Sequence, residues 1–78
     1  MLDEALEHLV RGVVDHPDDV EVVEVESRRG RMLEVRVHPD DVGRVIGRGG
    51  RTATALRVVV RSLTDERDVR IDFLDGED

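Results

Sequence analysis

The residues of this chain best suited to chemistry stand together in one run, Val45-Ile46-Gly47-Arg48-Gly49-Gly50-Arg51-Thr52. Three glycines within four positions give a backbone that reaches dihedrals other residues avoid and that can press close to a ligand. Arg44, Arg48 and Arg51 surround them, and guanidinium groups make charge-assisted hydrogen bonds to phosphate. Apolar helical spacing stops at Ile46 and resumes at Ala53, so the glycines should join two helices, the free amides of the second facing the loop. Such a helix start attracts anions. The chemistry indicated is phosphate binding.

Other chemistries find no support. A nucleotide-binding loop of the G-x-x-x-x-G-K-[ST] type fails on spacing and on the absence of lysine, and a dinucleotide fingerprint would need glycine where Thr52 stands. With no cysteine there is neither a disulfide framework nor a thiolate metal site. The carboxylate pairs Asp18-Asp19 and Asp40-Asp41 fall in turns or first helical turns, where adjacent acids are ordinarily solvated, and no nucleophile, base and oxyanion site assemble. His8 lies on a polar helix face and His16 at a helix end, which makes both solvated or capping residues rather than ligands. The chain does not read as an enzyme.

The net charge of -7 argues at first against a polyanionic partner, but its distribution reverses that. Residues 1–27 carry nine acids against one arginine, and residues 65–78 seven acids against two arginines. Between them residues 42–64 hold Arg44, Arg48, Arg51, Arg57 and Arg61 and no acid. One basic island lies in an acidic chain. Seventy-eight residues make one small domain, for which a homodimer would be a natural source of extra stability. No apolar run approaches a membrane span and the acidic start does not resemble a secretory signal, so a cytoplasmic protein without membrane insertion is expected.

The elements that must position the loop follow from periodicity. Leu2, Ala5, Leu6, Leu9, Val10 and Val13 form one helical stripe, with Asp3, Glu4 and Glu7 near its N-terminus and Pro17 beyond its end, predicting a helix over 1–15. From Val20 to Ser27 valine and glutamate alternate with a phase slip at Val22-Val23, as at a β-bulge, the strand settling on Val23 and Val25. Ser27 to Gly30 make a turn, Leu33, Val35 and Val37 alternate in a second strand, and a hairpin over 20–38 results. Arg28, Arg29 and Arg31 offer a second phosphate surface at its tip, although a solvated turn is the simpler reading. Pro39, Asp40 and Asp41 open a short helix ending at Gly47, and Ala53, Leu56, Val60 and Leu63 continue a second, giving helix-loop-helix over 40–63. Val69, Ile71 and Phe73 then alternate in a final strand over 68–74, before an acidic tail from Asp75 to Asp78. The order is α-β-β-α-α-β, in an α+β fold with no internal repeat, linker or low-complexity segment.

Ile46 to Gly50 also spell I-G-x-x-G, after an apolar helix end and before a second helix. In that element order the motif resembles the loop of the minimal type II KH fold, which clamps about four nucleotides by their backbone. The run V-G-R-V-I-G-R-G-G-R-T-A-T-A-L-R and the chain length resemble, more narrowly, the small bacterial stand-alone KH family called KhpA, formerly YlqC. The resemblance implies a single KH domain over 1–78, with a three-stranded sheet packed by helices on one face. It implies single-stranded RNA binding by Arg44, Val45, Ile46, Gly47, Arg48, Gly49, Gly50, Arg51 and Thr52, with no metal or cofactor. Gly47 and Gly50 fall on the two framework glycines and Arg48 and Gly49 on the variable pair, where a second glycine is unusual. Val45 and Ile46, with a residue of the second strand such as Val37, would floor an apolar groove for bases. With Phe73 the one aromatic, stacking of bases on rings is largely unavailable. The resemblance further implies a larger KhpB-like KH protein as partner, and a role as RNA chaperone or post-transcriptional regulator connected with cell elongation and envelope growth. The alternative is a KH-shaped protein-interaction module with little intrinsic RNA binding.

Overall fold

A computed structural model describes residues 1–66 and 68–74. The acidic tail expected at 75–78 lies outside them. Helix α1 spans Leu2–Arg11, strands β1 Glu21–Ser27 and β2 Gly30–Arg36, helix α2 Val42–Ile46, helix α3 Arg51–Ser62 and strand β3 Val69–Leu74. The order is α-β-β-α-α-β, and the sheet runs β1-β2-β3, with β1 antiparallel and β3 parallel to β2. A parallel neighbour requires a crossover, and here α2 and α3 supply it.

One face of the sheet is packed. Leu33 and Val35 of β2 and Val69 and Ile71 of β3 are buried with Leu6 and Val10 of α1, Val45 of α2 and Val60 of α3 in one cluster. The intervening Glu34, Arg70 and Asp72 point the other way, as the two-residue period of a strand dictates.

Several expectations need correction. Helix α1 ends at Arg11, not near 15: the Gly12 amide closes the last turn onto His8 and Leu9, and Val13 is 37% exposed. The connector thus released carries Asp15 and His16 away from the helix axis. No bulge interrupts β1, whose register runs unbroken from Glu21 opposite Arg36 to Ser27 opposite Gly30. Val22 faces Val35 and so the core, which leaves Val23 and Val25 on the open face. The buried side of β2 dictates the phase of its neighbour. Leu63 falls just past α3 and is exposed rather than part of its core stripe. The first helix of the helix-loop-helix is five residues long, preceded by a 3₁₀ turn at Pro39–Asp41.

Candidate nucleic-acid interface

The glycine loop sits between α2 and α3 as a single 3₁₀ turn, Arg48–Gly50, closed by the Gly50 amide on the Gly47 carbonyl at 3.2 Å. Gly47 has φ +76° and ψ 174°, a region open in practice only to glycine. A Cβ there would strike the Thr52 hydroxyl and lie 2.8 Å from the Thr52 amide nitrogen. Thr52 therefore occupies the space that Gly47 vacates, and the loop folds back tightly onto the start of α3. Gly49, at φ +60°, and Gly50, at φ +78°, differ: a Cβ on either would meet nothing within 4 Å. The three glycines therefore differ in what surrounds them. Gly47 closes the loop, while Gly49 and Gly50 keep clear the ground above it.

Helix α3 starts at Arg51 with Gly50 as its N-cap, no capping side chain and no acid in its first turn. Both groups that ordinarily neutralise a helix N-terminus are missing, which leaves its amide dipoles available to an anion. Arg48 and Arg51 stand exposed beside this end and make no ion pair among the described residues. Arg44 is engaged instead, 3.0 Å from the Asp15 carboxylate, though both partners are more than half exposed.

The remaining expected site residues separate. Thr52 is half-buried against Gly47, and Ile46 is half-buried against the core. Val45 and Val37 are buried, at 1% and 4% exposure, and present almost no surface outward. The strand beside α2 and α3 is β3, an edge of the sheet, and not β2. Its Phe73 lies under the Arg57 guanidinium, 5.2 Å from the ring centroid. The hairpin arginines divide as well. Arg31 is held by Glu24 and Glu66, both at 2.7 Å, which raise its already high pKa, whereas Arg28 and Arg29 are exposed. The solvated-turn reading suits the tip.

A polar cluster behind α2 was not foreseen. Asp41 is 1% exposed, contrary to the expectation that both acids of the Asp40-Asp41 pair are solvated. It accepts hydrogen bonds from the amides of Asp15 (3.2 Å) and His16 (2.9 Å) and pairs with His16 Nδ1 at 2.9 Å. Burial opposes its ionisation, but the His16 ring and the two amides prevail and hold its pKa below the usual carboxylate value. The same contact with Asp41 raises the pKa of His16. The ring of His16 stacks on that of His38, centroids 3.9 Å apart and 13° from parallel. His16, His38 and Asp40 bring ligand atoms within 4.8 Å, yet one ion cannot lie in the planes of two stacked rings. The signal for this cluster is visible in the sequence after all: H-P-D-D-V occurs at 16–20 and again at 38–42, which corrects the expectation of no repeat.

A three-stranded mixed sheet in αββααβ order, with a G-x-x-G loop joining two helices beside an edge strand, defines a KH domain of the type II arrangement. A family profile described as KhpA/KhpB, KH domain, matches residues 3–73. The chain belongs to that family. It is similar to the RNA-binding protein KhpA of Streptomyces coelicolor, 65% identical over 75 residues, covering 96% of this chain and 94% of the relative. It is also similar to the RNA-binding protein KhpA of Mycobacterium tuberculosis, 62% identical over 74 residues and covering 95% and 91%. Its counterpart in Halalkalibacterium halodurans is 49% identical over 72 residues, covering 90% and 95%. No solved structure matches the chain significantly. The family is one of KH proteins and not an enzyme class. Among the described residues no helix is long and apolar enough to cross a membrane.

Proposed function

We propose that the chain binds single-stranded RNA by clamping its backbone on Gly47-Arg48-Gly49-Gly50 and the N-terminus of α3, as a cytoplasmic RNA chaperone or post-transcriptional regulator. The observation that carries this reading is the uncapped start of α3 beside two arginines that make no ion pair among the described residues, under a loop whose outer glycines leave free space. The names of its relatives support the same ligand. Phosphate oxygens would take hydrogen bonds from the first amides of α3, and Arg48 and Arg51 would add charge-assisted bonds. With Val45 and Val37 buried, base contacts fall to Ile46 and the α2-β3 side, so affinity rests mainly on the backbone. It should be modest and salt-sensitive.

Partnership follows from the same economy. One weak module gains from a second, either another copy or a KhpB-like KH protein, and the exposed Val58 and Val59 of α3, with Leu63 just past its end, support such pairing. A link to cell elongation and envelope growth belongs to this proposal through the family resemblance.

The test is fluorescence anisotropy with short single-stranded RNA, duplex RNA and single-stranded DNA at two salt concentrations, comparing wild type with an Arg48→Asp, Gly49→Asp double variant. Gly49 sits in left-handed backbone that aspartate tolerates, with open space around it, so the variant should fold. Salt-sensitive binding that disappears in the folded variant is expected. Equal binding by both proteins, or none by wild type, would overturn the clamp in favour of a protein-interaction module.

A further inference from the structure

We propose that Asp41, outside the glycine loop, is a positioning residue for it: its buried carboxylate fastens α2 to the connector between α1 and β1 and so sets where Gly47 enters the loop. This rests on the loop being the RNA site and extends that reading to a residue no RNA touches.

The argument begins with what Asp41 does not do. It is the N-cap of α2, a position where aspartate ordinarily accepts from the amides of its own first turn, yet its side chain makes no such bond. Both oxygens go instead to Asp15 and His16, 26 and 25 residues away in sequence. The local cap is forgone for a tertiary tie.

The repeated pentapeptide supplies an internal control. His16-Pro17-Asp18-Asp19-Val20 and His38-Pro39-Asp40-Asp41-Val42 form matching 3₁₀ turns, with Asp19 and Asp41 each donating its amide to the preceding histidine carbonyl, at 3.0 and 2.8 Å. Asp19 nevertheless points to solvent while Asp41 is buried. What differs is the continuation: Val20 is extended and leads into β1, whereas Val42 is helical and leads into α2. The same local chemistry is buried only where it bears on the loop.

Helix α2 needs such a tie. Five residues are too few for a helix to be stable alone. Its anchors are Val45 in the core, Val42 and Ile46 packed against that core, the exposed Arg44-Asp15 pair and Asp41. Its last closure, the Gly47 amide on the Gly43 carbonyl at 2.9 Å, delivers the chain directly into the loop. Helix α3, on the far side, buries Ala53, Leu56 and Val60, and Leu56 and Val60 share the core cluster with Val45 of α2. The spacing between the two arms of the loop therefore depends on that shared core and on how firmly Asp41 holds the start of α2.

Asp41→Asn keeps the shape but replaces one acceptor oxygen by a donor, so it cannot satisfy all three partners. Binding of a fluorescein-labelled oligouridylate should weaken by about three- to thirtyfold, the range for couplings carried through packed networks. The dependence of log affinity on log salt should stay unchanged, because no phosphate contact is removed. Amide resonances of Gly47, Gly49 and Gly50 should shift in nitrogen-proton correlation spectra of the free protein. His16→Ala should show a smaller version of both effects, and His16→Asn, whose amide can donate to Asp41, should return both readouts toward wild type.

A folded Asp41→Asn protein with wild-type affinity and unshifted loop amides would overturn the proposal. Should that variant not fold, a folded His16→Ala protein identical to wild type in both readouts does the same. If wild type binds no RNA, the RNA reading fails by itself. The loop amides then decide on the anchor: shifted, they support it; unshifted, they overturn it.

Discussion

At the scale of single residues, the three glycines of the loop are not equivalent. Gly47 combines a positive φ with an extended ψ and has its missing side chain replaced by Thr52, so alanine there meets both strain and collision. Gly49 has the positive φ alone and open space around it. Gly47→Ala should therefore lose more than the roughly 1–3 kcal/mol expected of strained backbone, and Gly49→Ala about 1–2 kcal/mol. Urea unfolding of the two variants measures the difference directly; equal losses would mean that Thr52 does not close the loop on Gly47. The arginines sort by the same kind of accounting. Arg48 and Arg51 make no ion pair among the described residues, Arg44 shares its charge with Asp15, and Arg31 is committed to two glutamates. Counting arginines in the sequence cannot make that distinction, because an ion pair across 29 residues of chain leaves no local trace.

At the scale of elements, the connector and α2 are joined by groups that titrate, and the sign of the pH dependence follows. His16, facing Asp41, Asp19 and Asp40 and stacked on His38, has its pKa raised above the ordinary 6.5. Its contribution to stability is complete below that value and is lost as pH rises through the raised one. Asp41 has its pKa lowered below the ordinary 3.8, so its contribution is complete above that value and is lost as pH falls through the lowered one. Thermal unfolding should therefore show a midpoint that is highest between about pH 4 and 6.5 and declines on both sides. In His16→Gln the alkaline decline should flatten while the acid limb remains; an alkaline limb unaltered by that change would remove His16 as its cause. The same elements show what periodicity can reveal. Element types and order, and the glycine loop between two helices, were legible because apolar spacing and glycine placement are local. The end of α1, the face of β1 and the burial of Asp41 were not. The last two are decided by distant partners, Val35 opposite Val22 and the amides that reach Asp41, while α1 ends on a local closure at Gly12 that apolar spacing does not register. The doubled H-P-D-D-V was in plain view, but only the stacking of His16 on His38 gives it meaning.

At the scale of the whole molecule, the valines of this 78-residue domain do not all go into its core. The run Val58-Val59-Val60 buries Val60 while leaving Val58 at 61% and Val59 at 41% exposure, with Leu63 at 56% beyond them. β-Branched residues on an exposed helix face help neither helix formation nor solubility, and the pairing proposed above would cover them. Two copies meeting through α3 would form a self-complementary interface and present two glycine loops to one strand of RNA. Multi-angle light scattering should then give a mass near twice the 8.8 kDa of the chain. Val58→Asp, at a site already open to water, should return it to the single-chain mass without loss of fold. RNA long enough to reach both loops should bind the dimer more tightly than the variant by about tenfold or more, whereas a strand that fills one loop should bind both equally. A single-chain mass for wild type would leave α3 free for the larger KH partner, and equal binding of long and short strands would show that the two loops do not act together.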